Sequence, residues 1–138
     1  LRAALELSEA LSGDTTSARD PVLKHVHGAS NAARLGYGVV VTKFTGSGGK
    51  GGSSDASAEF TGRIRRMLDK KKIPWQSAEL GKVDEGGGGT IAKFIAEHGM
   101  DVIDLGPCVL SLHAPMELTS KADLLCSQRA YRAFLEGI

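Results

Sequence analysis

The sequence has 138 residues, 41% of them hydrophobic, which is enough for one domain with its own core but makes a second full domain unlikely. Its 17 basic and 16 acidic side chains give a net charge of +1, so it has no field that would capture nucleic acid or an anionic membrane. The two cysteines, Cys108 and Cys126, lack the CxxC spacing of a zinc or redox site. We therefore expect reduced thiols and a cytoplasmic location.

Apolar periodicity and turn residues predict strands that alternate with helices along the chain. After a helix end, a short strand is expected to finish near Leu11, and later strands are predicted at 37–44, 73–80 and 101–112. Predicted helices cover 55–72, 90–98 and 118–135, whereas 12–21, 21–34 and 45–55 are predicted as loops. In the last helix the predicted apolar face comprises four residues: Leu124, Leu125, Ala130 and Phe134. This alternation favours an α/β layer architecture with a mostly parallel sheet.

Two glycine-rich segments are candidate ligand contacts. "GSGGKGG" follows a strand, but Phe44 stands where a P-loop has its first glycine, and Gly51 stands where it has a hydroxyl. A surface loop is the favoured interpretation, with nucleotide binding kept as an alternative. "EGGGGTI" precedes a helix and has more glycines than a tight turn requires, which favours close approach of the backbone to a ligand.

Asp14 and His113 each follow an apolar run, and a carboxylate with an imidazole suits a catalytic zinc ion. A single histidine at a strand end is more often a core residue, and two ligands do not complete a site. His25 and His27 have the i, i+2 spacing of a metal clip, but a solvated segment is the more ordinary interpretation. His98 ends a helix beside a glycine and is predicted to cap it.

Three long runs together resemble one family. "GYGVVVTKFTGSGGKGGSSDASAEF", "KVDEGGGGTIAKFIAEHG" and "DVIDLGPCVLSLHAPMELTSKADL" resemble the catalytic domain of the aminopeptidase I and aspartyl aminopeptidase family of cytosolic zinc exopeptidases. The resemblance extends from about residue 12 to residue 134. It implies that residues 1–138 are the C-terminal part of a single metallopeptidase domain. The implied fold is a three-layer α/β/α arrangement, with a mixed, mostly parallel sheet and helices on both faces.

The resemblance also implies roles for particular residues. Two zinc ions share each active site in this family, with Co²⁺ or Mn²⁺ as alternatives. Asp14 matches the carboxylate on one ion, and His113 matches the imidazole on the other. Ala114 stands where the family often has a serine that is not a ligand. The implied substrate contacts are four residues: Lys43, Gly88, Gly89 and Thr90.

Other parts of the family's site have no counterpart in these 138 residues. The first histidine ligand, the bridging aspartate, the paired glutamates with the general base and the dimerisation insert are all expected upstream; Glu9 and Glu85 do not replace them. We therefore expect no catalytic residue here and no activity from the chain alone. The parent is expected to remove N-terminal residues from peptides as a dimer-based homo-oligomer, up to a dodecamer. Two alternatives remain: an inactive binding or assembly module, and a nucleotide-binding α/β domain.

Overall fold

A computed structural model describes residues 1–47, 51–82 and 87–137. The helices are α1 (Arg2–Glu6), α2 (Ala58–Lys70), α3 (Ala92–Ala96) and α4 (Lys121–Leu135), with a short 3-10 turn at Lys24–Val26. The strands are β1 (Glu9–Ser12), β2 (Thr16–Ser17), β3 (Val39–Thr42), β4 (Phe44–Ser47), β5 (Gly51–Asp55), β6 (Trp75–Ser77), β7 (Asp101–Gly106), β8 (Cys108–Leu110) and β9 (Leu118–Thr119). None of the described helices is long and apolar enough to cross a membrane.

The central sheet has the strand order β1-β7-β3-β6. Strand β1 is parallel to β7 and β3 is parallel to β6, whereas β3 and β7 are antiparallel. Strands β2, β8 and β9 form a smaller sheet, and β4 pairs with β5. The predicted α/β class with a mixed, mostly parallel sheet is confirmed.

Helices α2 and α4 pack on one face of this sheet and enclose the main core. Serine side chains begin both helices: Ser57 Oγ accepts the Phe60 N–H at 3.2 Å, and Ser120 Oγ accepts the Asp123 N–H at 3.3 Å. The predicted stripe of α2 is buried except at Ala58, and its buried members are Phe60, Ile64, Met67 and Leu68. They meet alternate residues of the strands, including Val39, Val41, Ile103 and Leu105.

Several of these element predictions are wrong in part. Strand β2 lies in the predicted loop 12–21, and β9 takes the first two residues of the predicted helix 118–135. The segment 45–55 contains strands β4 and β5 rather than a flexible loop, although residues 48–50 lie outside the described part. In α4, Leu124 and Leu125 are 54% and 49% exposed. Ala130 is buried and Phe134 packs against the core, as predicted, but the rest of the covered face consists of small or polar residues: Asp123, Cys126, Ser127 and Ala133. Small residues at this spacing let α4 approach the sheet closely.

The buried Asp123 sets the rotation of α4. Its carboxylate accepts the Gly36 N–H at 2.7 Å and the Gly38 N–H at 2.8 Å, so it ties the helix to the chain that enters β3. Gly38 has φ +93°, and a Cβ there would lie 2.1 Å from the Pro74 carbonyl oxygen. Only glycine fits this position.

Both cysteines are free and buried, as the sequence predicted. Burial raises the pKa of the Cys108 thiol to about 11, with a smaller contribution from the charge of Asp123. The pKa of Cys126 is also raised, again mainly by burial.

Candidate active site

A cavity lies on the face of the central sheet opposite α2 and α4. Neighbouring residues of a strand point to opposite faces, so Leu105 enters the core while Asp104 and Gly106 line the cavity. Strand β3 alternates in the same way, since Val41 is in the core and Thr42 lines the cavity. The sheet therefore separates an apolar core from a partly polar cavity.

Five of the six predicted site residues line this one cavity: Asp14, His113, Gly88, Gly89 and Thr90. They come from three separate loops that the fold brings together. Lys43 does not belong to the described lining, although its neighbours Thr42 and Phe44 do. Its ammonium group forms an ion pair with Asp55 across the β4–β5 pair. A substrate contact by Lys43 remains a prediction.

Asp14 lies in the loop between β1 and β2, where the Thr15 N–H donates to its Oδ1 at 2.8 Å. The backbone of this loop lies directly against β7. A Cβ at Gly106 would be 1.9 Å from the Asp14 carbonyl oxygen, so the loop can take this position only because residue 106 is glycine. Tyr131 of α4 lies close by and donates its hydroxyl to the Leu105 carbonyl at 2.7 Å. Burial, and secondarily the charge of Asp14, raises the pKa of Tyr131.

His113 lies in the turn between β8 and β9, and the backbone there is unusual. Ser111 has φ +58° and His113 has φ +68°, so two residues that are not glycine adopt the left-handed conformation. Each such residue costs on the order of 1–2 kcal/mol relative to the right-handed region. The Ala114 N–H donates to the Ser111 carbonyl at 2.9 Å and closes the turn. His113 is therefore presented by a strained turn rather than buried in the core.

The glycine wall of the cavity is joined to the β4–β5 pair. The Gly46 N–H donates to the Gly88 carbonyl at 3.1 Å. Thr90 Oγ1 accepts the Ala92 N–H at 3.1 Å just before α3. The remaining part of the predicted "EGGGGTI" turn, residues 85 and 86, lies outside the described residues.

Asp104 is a further cavity residue that the sequence analysis did not single out. It is 4% exposed and lies in register with Ser12 on one side and Thr42 on the other, so three buried polar residues form a row across the sheet. Among the described residues, neither oxygen of the Asp104 carboxylate has a hydrogen-bond partner of normal geometry. The sequence feature that could have indicated it is a charged residue inside the apolar run "VIDLG".

Burial raises the pKa of Asp104, and the nearby charge of Asp14 acts in the same direction. The hydroxyls of Ser12 and Thr90 lower it in part, although they are not placed for regular hydrogen bonds to the carboxylate. A buried carboxylate without regular partners is costly, and such groups concentrate at functional sites.

The donor atoms of this cavity suit zinc, because Asp14 offers carboxylate oxygens and His113 offers an imidazole nitrogen. Within the described parts of the chain, however, no three His, Cys, Asp or Glu side chains are grouped so that they could hold a metal ion. The cavity fits part of a zinc site and not a complete one.

Comparison with known proteins identifies the relatives of this chain. The family model described as "Aminopeptidase I zinc metalloprotease (M18)" matches residues 2–135. A probable M18 family aminopeptidase 1 from Thermotoga maritima is 52% identical over 134 residues, which are 97% of this chain and 30% of that protein. The crystal structure of an M18 family aminopeptidase from the same organism superimposes with a TM-score of 0.94 at 50% identity, covering 99% of this chain and 30% of that one.

A more distant structure, PhTET1-12s, is described as a dodecamer. It has a TM-score of 0.70 and 16% identity over 99% of this chain and 37% of that one, which supports the fold alone. The chain thus spans about 30% of the length of the curated relatives it matches.

Proposed function

Since this chain belongs to the aminopeptidase I family of zinc metalloproteases, we propose that it forms part of the active site of a metalloaminopeptidase that removes N-terminal residues from peptides. The observation that carries this proposal is the convergence of Asp14 and His113 on one cavity. Catalytic zinc usually takes three protein ligands per ion. We therefore propose that the remaining ligands, including a bridging aspartate, and the general-base glutamate come from outside these 138 residues.

Asp14 and His113 would each hold one of two ions, with Zn²⁺ as the expected metal and Co²⁺ or Mn²⁺ as alternatives. Bound zinc lowers the pKa of a coordinated water toward about 7 and polarises the carbonyl group that is attacked. The backbone at Gly88 and Gly89 would lie against the bound peptide, and the hydroxyl of Thr90 would orient it. Apolar contact is available from three lining residues: Phe44, Leu80 and Leu112. Lys43 would contact substrate after its ammonium group exchanges Asp55 for the peptide.

We also propose that the parent is a homo-oligomer built from dimers, as the family resemblance implies. A cytoplasmic location is proposed because both cysteines are free and buried, which suits a reducing compartment.

The test compares the full-length protein with the isolated chain on aminoacyl-nitroanilides in excess zinc. The full-length protein should release nitroaniline, lose this activity on chelation and regain it with zinc, and leave N-acetylated substrates intact. The isolated chain should be inactive, because it lacks the bridge and the base. Metal-dependent release by the chain at about one hundredth of the full-length rate would overturn the incomplete-site part of the proposal.

A binding or assembly module of the same fold is the alternative function. It predicts a full-length protein that folds and assembles but hydrolyses none of these substrates at any zinc concentration. The nucleotide-binding alternative predicts protection of residues 46–52 by nucleotide. The pairing of β4 with β5 argues against it, because a P-loop runs from its strand through the glycines directly into a helix.

A further inference from the structure

The turn that carries His113 has a fixed base. Strands β8 and β9 pair antiparallel, with Leu110 opposite Leu118, so the connection between them is the seven residues 111–117. The Thr119 hydroxyl also donates to the Cys108 carbonyl at 2.9 Å, which adds a side-chain hydrogen bond between the two strands. The position of the imidazole therefore depends on what holds these seven residues in one conformation.

Glu117, the last residue of the turn, reaches back across it. Its Oε1 accepts the backbone N–H of His113 at 2.7 Å. His113 is also the residue whose φ of +68° places it in the left-handed region. A hydrogen bond to a carboxylate is stronger than one between neutral groups, and here it is made with His113 in that backbone conformation.

We propose that Glu117 is a positioning residue for His113, holding its backbone in the left-handed conformation that points the imidazole into the cavity. Glu117 is not among the described residues that line the cavity, and its carboxylate accepts a main-chain N–H. Its proposed action is through His113, not as a metal ligand. This inference rests on the proposed function, because the orientation of the His113 imidazole matters for activity only if His113 binds zinc.

The contact explains why a strained turn persists at an exposed site. Without an acceptor for its N–H, His113 is free to move to the more populated regions of φ and ψ, and the imidazole then leaves the cavity. Residues that orient metal ligands in this way typically change metal affinity or activity by about 10- to 100-fold when they are lost. We expect Glu117→Ala to fall in the lower part of that range.

The experiment measures zinc affinity of the full-length protein by competition with a chromogenic chelator, together with the melting temperature and kcat. Glu117→Ala should weaken zinc binding about tenfold, with the melting temperature of the metal-free protein nearly unchanged. Glu117→Gln keeps an acceptor oxygen and should restore affinity to within about threefold of the original protein. An affinity for Glu117→Ala equal to that of the original protein overturns the inference.

Thr119→Val is the matched control, because it loosens the same pair of strands without touching Glu117. It should leave zinc affinity unchanged. Equal weakening by Thr119→Val and Glu117→Ala would show a general effect of hairpin stability and overturn the positioning role. His113→Ala separates the two proposals: if it leaves zinc affinity unchanged, the proposed metal role of His113 fails and the positioning role fails with it. If only Glu117→Ala is without effect, the proposed function stands and the inference alone fails.

Discussion

Asp123 and Asp104 are both buried carboxylates, and they lie on opposite sides of the central sheet. Asp123 is fully buried at the start of α4, and its two oxygens accept two backbone N–H groups. Asp104 is 4% exposed beside the cavity, and neither oxygen has a regular partner among the described residues. The aspartate on the core side therefore has hydrogen-bond donors for both oxygens, whereas the aspartate on the cavity side has none of regular geometry among the described residues.

This difference separates residues that build the fold from residues that serve the site. A carboxylate that accepts two main-chain donors stabilises a local arrangement, and removing it leaves both donors without partners. A buried carboxylate without such donors lowers stability, so its presence is explained by something other than folding. The two faces of the sheet should therefore respond differently to substitution.

The largest change in stability is expected from Asp123→Ala. The substitution leaves the Gly36 and Gly38 N–H groups without their acceptor and should lower the free energy of unfolding by about 3 kcal/mol. Urea unfolding of the full-length protein measures this loss. Asp123→Asn keeps one acceptor oxygen and should lose clearly less. A loss of unfolding free energy below about 1 kcal/mol for Asp123→Ala would show that the two hydrogen bonds of Asp123 contribute little to stability.

Gly106→Ala tests the cavity side without removing a polar group. Its Cβ would meet the Asp14 carbonyl oxygen at 1.9 Å, so the loop that carries Asp14 must move. A displacement of about 1 Å at an active site costs roughly 100-fold in rate. Peptidase activity of the full-length protein should fall by about that factor. The fall should exceed what the fraction of unfolded protein explains. Gly62→Ala, on α2, is the control, since its Cβ would meet only the flexible end of Arg66 at 3.4 Å; similar losses for both variants would refute the explanation.

Asp104→Asn should stabilise the metal-free full-length protein, by about 1 kcal/mol at pH 7. The folded-state pKa of Asp104 is raised above the ordinary value of an aspartate, which is about 3.9. Its contribution to stability is therefore present below that value and is lost as pH rises through the folded-state pKa. The gain from asparagine should accordingly be larger at pH 7 than at pH 4, as measured by urea unfolding. An equal gain at both pH values would mean that ionisation of Asp104 is not the cause.

A similarly small effect, of opposite sign, is expected from Ser120→Ala, which removes the N-cap of α4 beside Asp123. Loss of such a cap costs about 1 kcal/mol. The same unfolding measurement shows how much of the Asp123 effect is due to helix capping. If Ser120→Ala were as destabilising as Asp123→Ala, the cap rather than the carboxylate would hold α4 in place.

The sequence was informative where local periodicity decides the structure. The stripe of α2 was predicted correctly because Phe60, Ile64 and Leu68 repeat at helical spacing. Strands β4 and β5 were missed because glycine and serine have low strand propensity, and their pairing depends on long-range contacts. The exposed leucines of α4 were misplaced because the distant contact of Asp123 sets the rotation of this helix.

The candidate site was likewise predicted only in part from the sequence. The predicted ligands Asp14 and His113 lie far apart in the sequence. Their positions after apolar runs suggested a zinc pair, and the family resemblance implied a metal ion for each; the structure places both beside one cavity. Asp104 was missed because its unsatisfied state is visible only once its neighbours across the sheet are known. The ion pair of Lys43 with Asp55 likewise depends on the unpredicted pairing of β4 with β5.

The two buried cysteines have a practical consequence. Thiolate is the form that reacts with alkylating reagents, and a thiol with a pKa of about 11 supplies little of it near neutral pH, even before access is considered. Cys108 lies in the small sheet next to the turn of His113, whereas Cys126 lies in α4, on the face that packs against the central sheet. Labelling at each position therefore reports how often that part of the molecule opens to solvent. The native chain carries two reporters of its own local unfolding, one for each side of the molecule.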